Sequence, residues 1–217
     1  MLTFAKNSRV LVVAPHVDDE THCGGTIKKL SKLGCEIAYV SFSYCAESLP
    51  EGFSCAGIVA ENNAALDWLG VAEELRFNRD FPVRRFGDNR QEILENLIRL
   101  RDGFEPTVVI SPASGDSHQD HRVVFDECER AFRRNVTLVG YLHPLNMRSI
   151  QPNLLVRIED DEWEAKRQAW HAYVSQRSKH SPFDDAWINT LGKMWSLYGM
   201  GVSGHAEAFE CIGGNVA

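Results

Sequence analysis

The chain has 217 residues, 44% of them hydrophobic and 24% charged, an ordinary globular composition with enough length to bury a core without disulfide or metal staples. Its formal net charge is −7, and the Lys and Arg residues are scattered, which argues against a nucleic-acid partner because phosphate binding needs a basic face. No stretch approaches the roughly 20 apolar residues that span a bilayer.

Nothing resembling a signal peptide precedes the first strand, so a cytoplasmic protein is expected. The expected organisation is one α/β domain over residues 1–217, with the oligomeric state left open and homo-oligomers included. The 6 cysteines form no CxxC pair and read as free, mostly buried thiols. A Cys45–Cys55 bridge is expected only if the protein is exported.

In chain order, Arg9 to Ala14 (RVLVVA) is a continuous apolar run, the pattern of a strand buried on both faces. It ends at Pro15. Asp18, Asp19 and Glu20 then open a helix to about Leu33, their carboxylates suited to its positive end, and Gly34 caps it. Glu36 to Phe42 is a second strand, and the order strand, helix, strand implies a right-handed parallel crossover.

Residues 43–56 read as a surface loop. Ile58 to Leu69 is a helix ended by Gly70, and Glu74 to Phe77 a short strand. Asn78 to Asp88 is an irregular basic loop and Arg90 to Arg101 an amphipathic helix. Thr107 to Ser111 is another buried strand and His121 to Arg133 a helix. Strands follow at Thr137 to Leu142 and, at an edge, Leu154 to Ile158. Helices over Asp161 to Tyr173 and Asp184 to Tyr198 precede a last strand over Ala208 to Ile212. This alternation predicts a Rossmann-like, three-layer α/β domain with a mainly parallel sheet.

Two clusters carry chemistry. His16 and Asp19 stand where the first strand hands over to a helix, and ligands gather at the carboxyl ends of strands in open α/β sheets. Imidazole and carboxylate there suit a divalent metal such as zinc, with Asp18 left free to act on an attacking water. The same residues also fit plain helix capping. The second cluster, His118-Gln119-Asp120-His121, follows the strand at Thr107 to Ser111, again at a carboxyl end. His121 completes a His, Asp, His ligand set of the kind expected at catalytic zinc. His118 lies beside the open position, and Asp120 holds an imidazole in one tautomer. Ferrous iron and cobalt suit the same donors.

Pro15-His16-Val17-Asp18-Asp19-Glu20 resembles the PHPDDE motif of the LmbE-like, or PIG-L, N-acetylglucosaminyl deacetylases. The resemblance continues in Gly24-Gly25-Thr26, Glu61 to Gly70 (ENNAALDWLG), His118 to His121, Tyr173 to Gln176 and Ala206 to Phe209. It implies that His16, Asp19 and His121 hold zinc and that Asp18 is the general base. It further implies that His118 stabilises the oxyanion and protonates the leaving amine, assisted by Asp120. The implied activity is removal of an N-acetyl group, with release of acetate, from an N-acetylated amino sugar (GlcNAc-like) or its conjugate. Val17 and Gln119 replace prolines of that pattern, and His22 and Cys23 stand where smaller residues are usual. Ile58 replaces a substrate-holding Arg, so sugar preference does not carry over.

Other features carry no role in this reading. Gly199 to Gly204 fits GxGxxG but follows no strand, and reads as a loop. His22 reads as an extra ligand or a core-edge histidine, and His205 as packed. The aromatics Trp163, Trp170, Tyr173 and Trp187 read as core, and Arg84, Arg85 and Arg90 as a solvated basic loop. The competing functions are an amidase for a larger conjugate and an inactive scaffold of the same fold.

Overall fold

The computed structural model describes residues 7–133, 136–147, 152–179 and 185–213. Asp184, the expected start of the last helix, lies outside them, as does most of the chain before the first strand.

Among the described residues, strands β1 (Arg9–His16), β2 (Glu36–Ser43), β3 (Arg76–Asn78), β4 (Val108–Pro112), β5 (Thr137–Tyr141), β6 (Leu154–Ile158) and β7 (His205–Gly213) form one sheet, ordered β3-β2-β1-β4-β5-β7-β6. The run from β3 to β5 is parallel, while β7 is antiparallel to both β5 and β6. The last strand therefore inserts between two earlier ones, and β6 is the expected edge strand, buried at alternate positions. The fold is the expected α/β type with a mainly parallel sheet.

Alternate residues of β1 feed opposite faces, as period-2 side chains must. Val10, Val12 and Ala14 join one core with Ile27, Leu30, Ile58, Leu66 and Trp163. Leu11 and Val13 join the other with Phe42, Ile93, Leu97, Val124 and Phe132. Helices α1 (Gly24–Lys32), α2 (Cys55–Leu69) and α5 (Asp160–Ala172) supply the first face, and α3 (Arg90–Phe104) and α4 (Gln119–Phe132) the second. Short α6 (Val174–Lys179) follows α5, and α7 (Asp185–Met200) packs on β7. No described helix is long and apolar enough to cross a membrane.

Several boundaries differ from the sequence reading. Strand β1 runs through Pro15 to His16; past Val12 it pairs with β2 alone, and Pro15 itself has no partner in the register, so its missing N–H breaks no rung. The expected helix from Asp18 is instead a 3-10 segment, Asp19–Cys23, followed by α1. Its cause is Asp18, whose φ of 94° lies in the left-handed region and cannot begin a regular α-helix. The loop over residues 43–56 is shorter than expected, because Ser54 caps α2 by accepting the Gly57 N–H at 3.1 Å.

From β1 the chain goes to β2 and β3 on one side, then crosses to β4 and β5 on the other. The carboxyl ends of β1 and β4 therefore flank the point where strand order reverses, the usual crevice for ligands in such sheets.

Candidate metal centre and active site

Both sequence clusters meet at that crevice. His16 ends β1, Asp18 and Asp19 follow it, and His118, Asp120 and His121 form the N-cap and first turn of α4. Ligand atoms of His16, Asp19 and His121 all lie within 4.8 Å of one another, and the three residues are buried.

The ring nitrogens show whether this set suits a metal. His16 Nε2 lies 3.0 Å from Asp120 Oδ2, which leaves Nδ1 3.4 Å from Asp19 Oδ2. His121 Nδ1 lies 2.8 Å from Asp116 Oδ2, which leaves Nε2 3.3 Å from the same Asp19 oxygen. Each imidazole thus has a carboxylate behind it and turns its other nitrogen toward Asp19. That is the pattern of metal-binding histidines, where an outer carboxylate fixes the tautomer and raises the basicity of the ligating nitrogen. The residues present fit a divalent cation held by His16, Asp19 and His121.

Electrostatics agree with the packing. Burial would raise the Asp19 pKa, but His121 and His16 hold the carboxyl well below its ordinary value. Burial would lower that of His121, yet Asp19 and Asp116 push it up to about 10. For His16, burial is likewise outweighed, here by Asp120 and Asp19, and the pKa is raised. Without metal, protons hold these nitrogens in the field of the carboxylates.

Asp18 differs from its neighbour. Burial, together with the Asp19 and Glu20 carboxylates, pushes its pKa well above the ordinary value, against the opposing charges of Lys179 and His121. Its left-handed backbone is held from three directions. Its N–H reaches Glu20 Oε2 at 3.2 Å, and its carbonyl accepts the Thr21 N–H at 3.0 Å and the Thr21 hydroxyl at 2.6 Å. Such a conformation costs of order 1–3 kcal/mol and persists only where its surroundings over-determine it.

His118 lies beside the pair, its ring centroid 5.1 Å from His16 and 4.8 Å from His121. Its Nδ1 accepts the Asp120 N–H at 3.2 Å, so in the neutral ring the proton sits on Nε2. Burial, reinforced by His121 and His16, lowers its pKa. At neutral pH His118 is therefore a neutral hydrogen-bond donor.

The remaining motif residues turn out to be scaffolding for this turn. Glu20 is fully buried and accepts the hydroxyls of Tyr173 at 2.6 Å and Tyr39 at 3.1 Å, while Asn62 Nδ2 donates to both tyrosines. Burial pushes the Glu20 pKa to about 7 despite these bonds. Glu61 accepts the Ser175 N–H at 3.0 Å, joining α2 to α6. Glu207 accepts the Gly25 and Thr26 N–H groups at 2.9 and 2.7 Å and the Lys166 ammonium at 2.6 Å. It thereby caps α1 from β7, an anion at the positive end of a helix. A Cβ on Gly25 would fall 2.8 Å from Ile158 Cγ2, which is why the residue is glycine.

The sequence reading missed several groups. Asp116 forms the second carboxylate bracket, and only its proximity to His118 hinted at it. The Arg84 backbone N–H donates to Asp120 Oδ2 at 2.6 Å, with φ at Arg84 of 66°, so the basic loop serves through its backbone. Arg90 is held by Glu127 and Asp126, and Arg85 lies near Asp88. Ile58 is buried in the core. Trp163, Trp170 and Tyr173 are buried as expected, yet Trp163, Trp170, Trp187 and Trp195 also wall a cavity that reaches Thr21 and His22. His205 stacks on Trp163 at 4.2 Å. Cys45 is buried and Cys55 exposed, and no disulfide joins them.

Comparison with known proteins places the chain. It is 25% identical to the uncharacterized deacetylase YaiS of Escherichia coli over 184 residues, covering 78% of this chain and 92% of that one. Its fold matches the N,N'-diacetylchitobiose deacetylase of Pyrococcus horikoshii with a TM-score of 0.73 at 19% identity, over 94% and 84% of the two chains. It also matches GalB, a 4-carboxy-2-hydroxymuconate hydratase of Pseudomonas putida, with a TM-score of 0.74 at 16% identity, over 97% and 98%. One fold thus carries two reactions among these neighbours, and the reaction must be argued from the site. Residues 11–132 match the family model described as PIG-L: GlcNAc-PI de-N-acetylase, and the chain belongs to that family.

Proposed function

We propose that the protein is a zinc-dependent deacetylase that hydrolyses the N-acetyl group of an N-acetylated amino sugar or its conjugate and releases acetate. The observation that carries this reading is the pair of carboxylate-backed imidazoles, His16 on Asp120 and His121 on Asp116, turned toward Asp19. When bound, a divalent ion supplies Lewis-acid polarisation of a carbonyl oxygen and brings the pKa of water to about 7. Ferrous iron and cobalt suit the same donors.

The residues of the chain divide the remaining work. Asp18, with its raised pKa, takes a proton from the water whose oxygen bonds to the acetamide carbon; general-base help of this kind contributes typically ~10²–10⁴ in rate. His118 donates its Nε2–H toward the oxygen that gains charge, the interaction that is often the largest single contribution. As the C–N bond breaks, the proton on Asp18 passes to the leaving amine directly or through His118, and acetate departs. Asp120 assists by holding His16 while its own backbone N–H fixes the His118 tautomer.

The tryptophan-walled cavity beside His22 favours a second reading, an amidase whose substrate carries a larger apolar group. Acetate release from N-acetylglucosamine, diacetylchitobiose and lipid- or aryl-linked N-acetylglucosamine, by zinc-loaded wild type and Asp18→Asn, separates the readings. Deacetylation of at least one sugar, reduced more than about a hundredfold in the variant, is expected. Hydrolysis of the lipid- or aryl-linked substrates alone would favour the reading with a larger apolar group, and no turnover by loaded protein an inactive scaffold.

A further inference from the structure

His22 stands on the 3-10 segment after β1, and His143 follows β5. Their rings lie 4.2 Å apart, with His22 stacked over Tyr141 at 6.1 Å. Neither takes part in the chemistry above. Among the described residues, the buried His143 Nδ1 has no hydrogen-bond partner, an arrangement that disfavours a buried polar group.

The third member of the cluster is Asp19. Ligand atoms of Asp19, His22 and His143 all lie within 4.8 Å of one another, as do those of His16, Asp19 and His121. The contacts of the Asp19 carboxylate with His16 and His121 all use Oδ2: the His16 N–H at 2.9 Å, His16 Nδ1 at 3.4 Å and His121 Nε2 at 3.3 Å. A carboxylate has two oxygens, and Asp19 lies within reach of both imidazole pairs, so it can bridge two cations.

We propose that Asp19, His22 and His143 form a second site for a divalent transition-metal ion such as zinc, bridged to the first through Asp19. Two imidazoles and a carboxylate are the donor set that zinc, cobalt and ferrous iron share. The second ion satisfies the orphaned His143 nitrogen. It binds more weakly than the first, because it shares a carboxylate already committed to one cation and meets that cation's repulsion. This inference rests on reading Asp19 as a ligand of the first metal.

The test is zinc stoichiometry, by equilibrium dialysis and elemental analysis, in a Cys55→Ser background so that the exposed thiol takes none. About two equivalents are expected in wild type, the second at least tenfold weaker. His143→Phe and His22→Leu should each bind one equivalent with the first affinity kept within about threefold, which also shows that they fold. His121→Ala should lose the tight equivalent. One equivalent in wild type at millimolar zinc, or two in both variants, would overturn the second site. Loss of all binding in the wild type would instead sink the first-site reading.

Discussion

Replacing Asp116 by Asn tests the bracket on which the metal centre depends. Asp116 uses both oxygens at once: Oδ1 accepts the His118 backbone N–H at 2.8 Å, and Oδ2 meets His121 Nδ1 at 2.8 Å. An amide has one oxygen. Whichever way it is turned, an NH2 group faces an N–H, either that of His118 or that of His121. The ring of His121 then either loses its partner or changes tautomer and presents Nε2–H toward Asp19 in place of a lone pair. Losing such an outer partner typically costs 10–100-fold in metal affinity, about 1.4–2.7 kcal/mol at a tenfold change per 1.36 kcal/mol. The assay is zinc competition against a chromophoric chelator at neutral pH, with circular dichroism as the check on folding. A folded Asp116→Asn protein with a zinc dissociation constant within twofold of wild type would refute the argument.

Two further predictions follow from the same geometry. In the metal-free protein His121 holds its proton up to about pH 10, and metal binding must displace it. Zinc affinity should therefore rise by about tenfold or more per pH unit across the neutral range, with proton release visible by calorimetry in buffers of different ionisation enthalpy; a flat profile would contradict it. Tyr173→Phe removes a 2.6 Å bond to buried Glu20 and the hydroxyl that accepts from Asn62 at 2.7 Å. It should lower unfolding free energy by about 1–3 kcal/mol in urea, and an unchanged midpoint would show that the network is not structural.

The parallel core of the fold was legible because β1, β2, β4 and β5 are apolar runs broken by helices with helical periodicity. The placement of β7 was not, since nothing local in Ala208 to Ile212 says which strands it separates; that is decided by Glu207 reaching α1 and by α7 packing behind it. The six candidate site residues were proposed from His and Asp types at two strand ends, and the fold brings those two ends to one crevice. Asp116 was not, because its role depends on a loop geometry that brings one carboxylate against a ring and a backbone N–H together. His22 and His143 are far apart in sequence, and only the shared carboxyl edge of β1 and β5, on either side of β4, makes them neighbours. The 3-10 start after Asp18 escaped notice because three acidic residues look like an ordinary helix cap, while the left-handed backbone is imposed by Glu20 and Thr21.

The central claim is that His16, Asp19 and His121 hold the catalytic metal. Metal content per chain, measured by elemental analysis on wild type and His121→Ala purified without chelator, tests it most directly. At least one equivalent of zinc or iron in wild type, with the tightly held equivalent missing from a folded His121→Ala protein, is the predicted result. Equal, negligible metal in both, even after zinc is offered, would contradict it.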